Sequence, residues 1–299
     1  MTDYSIWVLE YGYVDRFPVS SLLAAQPHQG HRRMPYCFGL VRSDEHCVLV
    51  DTGFADAAVH QRLTSRYGST YWSSPVEMLS RVGVRPEDVD SILLTHNHLD
   101  HSGCVADFPN AQVYLQQREL TRYQDALARP PRFEFLLRAT DPALPAELTE
   151  LDRDLRVTYA SGYLPVTAGI ELRPAFDTHT AGSQLALVEN AADGRWLFAG
   201  DNVYVYENIE GLQGNGVLEP IGTSTGSQWI WLDTIDRALD WVGRDSARVI
   251  PFHDAELFRR FPTREYADGL HVAEISLAAG HDSVLSALGA EKGGAPGHD

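Results

Sequence analysis

Four side chains of the kinds that bind divalent metals fall within six residues of one another: His96, His98, Asp100 and His101. Imidazole and carboxylate are ligand types that zinc and similar ions accept. The apolar run Ile92 to Leu94 precedes this H-x-H-x-D-H motif and predicts a buried strand. Chance clustering explains the motif poorly, because buried titratable groups without partners are costly. We therefore expect a metal-ligand cluster where a strand ends, completed by ligands from elsewhere in the chain.

Three other places repeat the same pattern, in which a strand-like run ends in a metal-ligand residue type. His179 follows the run from Leu172 to Phe176, Asp201 follows Trp196 to Gly200, and His253 follows Val249 to Phe252. If these strands share sheets, their ends bring the three side chains beside the first cluster.

Alternating or continuous apolar runs predict the strands, and helical spacing of apolar positions predicts the helices. Strands are predicted at residues 6–9, 36–41, 47–50, 112–115, 155–159, 170–173, 185–189, 195–198 and 249–252. Helices are predicted at residues 56–67, 74–82, 116–128, 227–243, with Ser227 as an N-cap, and over most of 255–288. Residues 11–35 are interpreted as a long surface loop and 85–88 as a turn.

The 299 residues show no composition break that would divide the chain. We interpret residues 1–289 as a single domain, with 129–150 and 203–226 as lid or pocket insertions. The first insertion holds four prolines and does not suit regular sheet. Residues 290–299 are rich in glycine, and we expect them to form a disordered tail.

The formal net charge is −17, and the acidic residues are spread along the chain. Nucleic acids and anionic membranes both require basic patches, so we expect neither as a partner and a small molecule as the substrate. No segment has the length of a membrane span or the features of a signal peptide. Cys37, Cys47 and Cys104 show no pairing pattern, which favours a reducing, cytoplasmic environment.

In their order along the chain, the H-x-H-x-D-H motif, His179 before Gly182, the Ala199-Gly200-Asp201 triplet and the late His253 resemble the metallo-β-lactamase superfamily. The resemblance covers roughly residues 36 to 255 and implies an α/β fold, a four-layer αβ/βα sandwich with metals at one edge of two sheets. It implies one metal on His96, His98 and His179, a second on Asp100, His101 and His253, and Asp201 bridging both. It also implies that Asp51, in Asp51-Thr52-Gly53, supports the site from behind the ligands.

Two details narrow the resemblance to the N-acyl homoserine lactonase branch. Tyr204 lies three residues after Asp201, and residues 179–184 form a His-x-x-Gly-x-Gln run. In that branch a tyrosine at this spacing hydrogen-bonds the substrate carbonyl, so the resemblance gives Tyr204 an oxyanion-stabilising role. The simpler interpretation is that Tyr204 packs a loop.

We therefore expect a dinuclear metal-dependent hydrolase that opens a lactone (ester) ring by attack of a metal-bridging hydroxide. Two ions, zinc first and Fe, Mn or Co also compatible, suit a ligand set without thiolate. Asp100, which would contact only one metal, is the candidate proton carrier to the leaving group, and Asp201 and Tyr204 complete the catalytic set.

The long segments 129–150 and 203–226 are individual to this chain, so pyridoxolactone-type and other ring lactones, or simple esters, stay open as substrates. The alternative activities are a thioesterase of the glyoxalase II kind, which calls for a basic patch, or another ester or amide hydrolase of the superfamily. A nuclease is disfavoured by the negative charge. The pair Arg32-Arg33 is a candidate contact for an anionic substrate, with a solvated loop as the simpler interpretation.

Overall fold

The computed structural model describes residues 2–24, 26, 28–54, 57–191 and 193–285 of the chain. The predicted disordered tail, residues 290–299, lies outside the described residues. Two β-sheets with helices against them form the centre of the structure.

The larger sheet contains the first and the last strand of the described residues. Its strands in the described residues are β1 (Ser5–Pro18), β2 (His31–Arg42), β3 (Cys47–Val50), β4 (Tyr71–Trp72), β5 (Ser91–Leu93), β6 (Gln112–Gln116), β7 (Val157–Ala160), β13 (Thr263–Glu265) and β14 (His271–Ser276). They lie in the order β13-β14-β1-β2-β3-β5-β6-β7, with β4 paired to β1. Strands β3, β5, β6 and β7 are parallel, so their carboxyl ends share one edge.

The smaller sheet holds the strands from the second half of the chain. They are β8 (Leu164–Thr167), β9 (Ile170–Pro174), β10 (Gln184–Asn190), β11 (Gly194–Gly200) and β12 (Val249–Pro251), and they lie in the order β12-β11-β10-β9-β8. β11 and β12 are parallel, so both end on the same side. The two sheets pack face to face, because a Cβ on Gly39 of β2 would lie 2.5 Å from the ring of Phe198 of β11.

The helices and 3₁₀ turns connect the strands and cover the sheets. The α-helices are α1 (Val19–Leu22), α2 (Ala57–Tyr67), α3 (Pro75–Arg81), α4 (Leu99–Ser102), α5 (Gln117–Leu127), α6 (Leu144–Arg153), α7 (Glu207–Glu210), α8 (Gln228–Trp241) and α9 (Leu257–Arg260). The 3₁₀ helices are Pro86–Asp88, Val105–Asp107, Pro131–Leu137 and Ser246–Arg248. α3, α5 and α6 contact the larger sheet, and Trp241 of α8 packs on Arg173 of the smaller one. This mixed arrangement is the αβ/βα sandwich expected from the sequence.

Most predicted elements are present within a few residues of their expected bounds. The hairpin of β2 and β3 forms, and α8 begins after Ser227, whose hydroxyl accepts a hydrogen bond from the Ile230 amide. Residues 129–150 contain no strand in the structure; they form the 3₁₀ helix Pro131–Leu137 and most of α6. None of the described helices is long and apolar enough to span a bilayer.

Two predicted segments were wrong. Residues 11–35 are not one surface loop, because β1 continues to Pro18 and β2 begins at His31. Gly12 is needed inside β1, where a Cβ would lie 2.9 Å from the Tyr71 carbonyl. Among the described residues of 255–288, only the short α9 is helical. β14 instead pairs with β1, with Val8 opposite Ala273, so a partner more than 260 residues away determines its conformation.

Candidate metal centre

All seven predicted ligand residues lie together at one edge of the two sheets. Ligand atoms of His96, His98, His179 and Asp201 lie within 4.8 Å of one another, and those of Asp100, His101 and His253 form a second group under the same limit. Most of these side chains are buried. The Asp100 side chain is 16% exposed. The strand-end pattern therefore predicted which side chains lie together in the structure.

Asp201 lies between the two groups, with one oxygen facing each. Its Oδ1 is 2.9 Å from Nε2 of both His101 and His253. Its Oδ2 is 3.2 Å from Nε2 of His179 and 3.7 Å from Nε2 of His96. Asp100 Oδ2 approaches only the second group, at 3.6 Å from His101 Nε2 and 3.7 Å from His253 Nε2.

The backbone before Asp201 passes unusually close to the strand that carries the first motif. Gly200 has a φ of 51°, and a Cβ there would lie 2.6 Å from the Thr95 hydroxyl. Glycine is the residue that adopts this conformation without strain and leaves the space unfilled. The glycine of the Ala-Gly-Asp triplet thus sets the position of Asp201 against the His96 loop.

Hydrogen bonds from outside the cluster fix how the imidazoles point. His179 Nδ1 donates to the Thr223 carbonyl at 3.0 Å, and His253 Nδ1 donates to the Pro35 carbonyl at 2.8 Å. A carbonyl can only accept, so both Nδ1 atoms carry a proton, and the Nε2 atoms are the ring nitrogens that face Asp201. The rings are thereby oriented as ligands.

Asp51 supports His101 in the same way, from a fully buried position. Its Oδ2 lies 2.7 Å from His101 Nδ1, and the amide and hydroxyl of Thr95 donate to its two oxygens at 2.7 Å and 2.8 Å. Burial raises the pKa of Asp51, and the His101 imidazole opposes that rise. One carboxylate thus links the end of β3 to Thr95, just before the H-x-H-x-D-H motif, and to His101, its last residue.

The protonation states differ across the cluster. Burial acts to lower the pKa of His101 and His253, but the nearby carboxylates, Asp201 foremost, outweigh it and raise both pKa values, that of His101 well above its usual range. Burial lowers the pKa of His96 and His98 well below the usual range, so both rings are neutral. Burial acts to raise the pKa of Asp201, but the charges of His101, His253 and other imidazoles outweigh it and hold that pKa well below normal. Neutral imidazole and ionised carboxylate are the forms that bind divalent ions, so a bound cation would replace the protons on His101 and His253.

The burial of unpartnered nitrogen atoms also fits a bound cation. Within the described part of the chain, Nε2 of His96 is buried without a hydrogen-bond partner, and Nε2 of His101 makes no well-aligned hydrogen bond although Asp201 Oδ1 lies 2.9 Å away. Such atoms are rare in native proteins, and a missing ion is one standard explanation. Both atoms face Asp201, at the centre of the donor set.

Tyr204 lies against the cluster on the side of a small cleft. Its ring packs edge-on to His179, with centroids 5.7 Å apart, and 5.4 Å from the ring of His253. The cleft has a volume of about 90 Å³ and is also lined by Asp100 and Asp201. Burial, with Asp201 and Asp100 nearby, raises the pKa of Tyr204 well above its usual value, so the phenol keeps its proton.

Glu119 is a part of the site that the sequence did not reveal. Its buried carboxylate accepts hydrogen bonds from the Asn97 amide at 3.1 Å, the Thr180 hydroxyl at 2.9 Å and the Gly182 amide at 2.6 Å. It therefore joins the loop of His96 and His98 to the loop of His179. No local pattern indicates this, because Glu119 is one acidic residue in the amphipathic helix α5.

Other sequence candidates have structural roles. Arg32 pairs with Glu207 at 2.8 Å and Arg33 with buried Glu10 at 2.6 Å, so neither is available to an anionic substrate. The Cys104 thiol is buried and contacts the Thr52 carbonyl at 3.0 Å.

Comparison with known proteins gives one family. A family model described as the metallo-β-lactamase superfamily matches residues 38–253. An N-acyl homoserine lactonase of Bacillus cereus is 29% identical over 186 residues, which is 58% of this chain and 66% of that protein. N-acyl homoserine lactonase AttM of Azorhizobium caulinodans is 28% identical over 129 residues, 40% of this chain and 48% of that protein. The chain thus matches less than two thirds of the length of each of these relatives.

Solved structures show the same fold. An N-acyl homoserine lactone hydrolase with the product N-hexanoyl-L-homoserine at its catalytic metal centre superposes with a TM-score of 0.67 at 24% identity, covering 87% of this chain and 96% of that one. AidC, a dizinc quorum-quenching lactonase, superposes with a TM-score of 0.60 at 16% identity, covering 90% and 94%.

Proposed function

The chain belongs to the metallo-β-lactamase superfamily, and on that premise we propose that it is a dinuclear metal-dependent hydrolase that opens lactone rings, like the N-acyl homoserine lactonases. One observation carries the proposal: Asp201 directs one carboxylate oxygen to each of two ligand groups, with Tyr204 beside them. The names of the curated relatives support the choice of lactones within the superfamily.

We assign His96, His98 and His179 to one ion, Asp100, His101 and His253 to the other, and Asp201 to both. This division follows the two groups of ligand atoms in the structure. When bound, divalent ions supply a water activated at neutral pH and a Lewis acid for the ester carbonyl. Zinc is the first candidate for a set of imidazoles and carboxylates.

The protein's own polar groups then have distinct roles. The Tyr204 phenol, protonated and at the wall of the cleft, donates a hydrogen bond to the carbonyl oxygen as negative charge develops there. Asp100 takes up the proton that the attacking water gives up and passes it to the leaving alcohol oxygen, since its side chain is more exposed, at 16%, than that of Asp201, at 5%. The imidazoles are held in place by Asp51 and by the Thr223 and Pro35 carbonyls.

The proposed substrate is a small molecule, and no nucleic-acid or membrane partner is proposed. The free thiols of Cys37, Cys47 and Cys104 are buried in the structure. They are compatible with the cytoplasm as the proposed compartment, where thiols stay reduced.

The deciding experiment combines metal analysis with a hydrolysis screen. Purified protein is analysed for divalent metals and tested on N-acyl homoserine lactones, simple lactones, linear esters, thioesters and β-lactams. We expect two ions per chain and the highest kcat/KM on lactones. Active protein without a divalent metal would refute the metal site, and a clear preference for thioesters would favour the glyoxalase II kind of activity instead.

A further inference from the structure

A second, larger cavity adjoins the cleft of the candidate metal centre. It lies between α2 and residues 134–142 and has a volume of about 570 Å³, against about 90 Å³ for the cleft. Leu63 and Tyr67 line both cavities. The far wall is tied to the metal-ligand loop, since the Leu99 amide donates to the Ala139 carbonyl at 2.7 Å. We call this cavity the outer groove; a molecule held in the cleft can extend into it.

The outer groove is basic in a protein that is otherwise acidic. Arg62, Arg66 and Arg138 line it, and Glu134 is the acidic residue among its lining side chains. Within the described residues, none of these three arginines forms an ion pair with a carboxylate, although the chain has 41 acidic residues to 24 basic ones. All three arginines are exposed, and Arg66 and Arg138 lie over the rings of Tyr67 and Phe135, at 5.4 Å and 5.2 Å, so their guanidinium groups are free to meet an anion.

Tyr67 connects these arginines to the candidate metal centre. Burial raises the pKa of its phenol, the charge of Arg66 and a hydrogen bond from it oppose that rise, Asp100 adds to it, and Arg138 opposes it. The phenol is therefore within electrostatic reach of the two arginines on one side and of a candidate metal ligand on the other. Tyr67 lines both cavities, so its side chain lies between the outer groove and the cleft.

We propose that the outer groove binds a carboxylate carried by the substrate at the end remote from the bond that is cleaved. The proposal rests on the proposed hydrolase function and specifies its substrate class: lactones or esters whose side chain ends in an anionic group. Guanidinium groups bind carboxylates through paired hydrogen bonds, and unpaired arginines beside a partly enclosed groove are suited to that task. The hexanoyl chain of the product bound to the solved relative is, in contrast, uncharged at its end.

Matched substrates test the charge alone. N-hexanoyl homoserine lactone is compared with N-adipoyl homoserine lactone, which has the same chain length and a terminal carboxylate, and the octanoyl and suberoyl compounds extend the series. We expect wild-type kcat/KM to favour the carboxylate compound of at least one pair, through a lower KM. The preference should shrink in 0.5 M NaCl, because salt screens exposed ion pairs.

Arginine variants test the groove. Arg66→Gln and Arg138→Gln should each raise KM for the carboxylate substrates about two- to fivefold, and the double variant more, with little change on the neutral substrates. Arg132→Gln is the matched control, since Arg132 is exposed on the same segment and lies 5.2 Å over the Phe133 ring but is not among the residues lining the groove. Unchanged thermal unfolding of each variant shows that the fold is intact.

Binding of the ring-opened compounds separates this proposal from the hydrolase function. By calorimetry, N-adipoyl homoserine should bind the wild type more tightly than N-hexanoyl homoserine, and the double variant should lose the difference. Equal binding in the wild type, or a difference that survives in the double variant, would overturn the groove proposal even if lactones are opened. Charge-dependent binding without any lactone opening would support the groove and refute the lactonase activity.

Discussion

Asp201 is the residue on which the two ligand groups depend, because each of its oxygens faces one of them. We predict that Asp201→Ala lowers both the bound metal and the turnover. Asp100→Asn should keep at least one ion per chain yet lose most turnover, since Asp100 faces only the second group. Elemental analysis and lactone hydrolysis of both variants provide the check, with exposed Asp107→Asn as the control. An Asp201→Ala protein with full metal and full activity would refute the bridge.

A variant of Tyr204 can show whether this residue contacts the substrate or only packs against its neighbours. Removing the main oxyanion donor of an enzyme costs on the order of 10²–10³ in turnover. Because metal ions would share that task here, we predict that Tyr204→Phe loses about tenfold to a hundredfold in turnover with unchanged metal content. Lactone hydrolysis at equal metal loading measures this. Wild-type turnover in the variant would return Tyr204 to packing against His179 and His253.

The clustering of the seven side chains could be predicted because each of them follows or lies near the end of a strand. The groups that orient the ligands could not. Thr223 binds His179 across 44 positions and Pro35 binds His253 across 218, in both cases through a backbone carbonyl. Every residue has such a carbonyl, so the sequence carries no sign of which ones are used.

At the scale of elements, the sequence predicted the helices and strands that are determined by local features such as N-cap residues. α3 and α8 begin after Ser74 and Ser227, whose side chains accept hydrogen bonds from the helix as N-cap residues do. The wrong predictions concern segments whose conformation depends on pairing with strands far away in the sequence. β14 is a strand because it pairs with β1, and the second half of β1 is a strand because β2 and β4 pair with it. Neither pairing is visible in local periodicity.

Glu119 of α5 joins two loops of the candidate metal centre, and its replacement can be tested. Its carboxylate receives three hydrogen bonds from the two loops that carry His96, His98 and His179. Replacing a buried acceptor that has several donors costs about 1–3 kcal/mol. We predict that Glu119→Gln lowers the free energy of unfolding by this amount and weakens metal binding, because the two loops are no longer held together.

Denaturant unfolding and metal titration test this prediction. Glu147→Gln is the comparison, since Glu147 is half-buried on α6 and makes none of these loop contacts. If Glu119→Gln and Glu147→Gln show the same stability and metal affinity, Glu119 does not join the loops in the way that the structure indicates.

At the scale of the whole molecule, the candidate metal centre is where the two sheets meet. Asp51 and the H-x-H-x-D-H motif follow β3 and β5 of the larger sheet, while Asp201 and His253 follow β11 and β12 of the smaller one. The cluster is buried and contains two carboxylates among its ligand residues. Removal of cations from such a set leaves buried charge and unpartnered nitrogen, which destabilises the contact between the sheets.

We therefore predict that metal removal lowers the thermal stability of the entire domain. A ligand bound only by the folded state stabilises it by roughly 3–4 kcal/mol when present at 100 to 1,000 times its Kd. For a chain of this size that corresponds to a fall in Tm of about 5–7 °C on chelation. Calorimetry of chelated protein, with the loss of metal verified, measures the fall, and added zinc should restore the original Tm. The Asp201→Ala variant is the control, since chelation should shift its Tm far less. A fully chelated wild type that unfolds at the original temperature would show that the sheets meet without help from the metal centre.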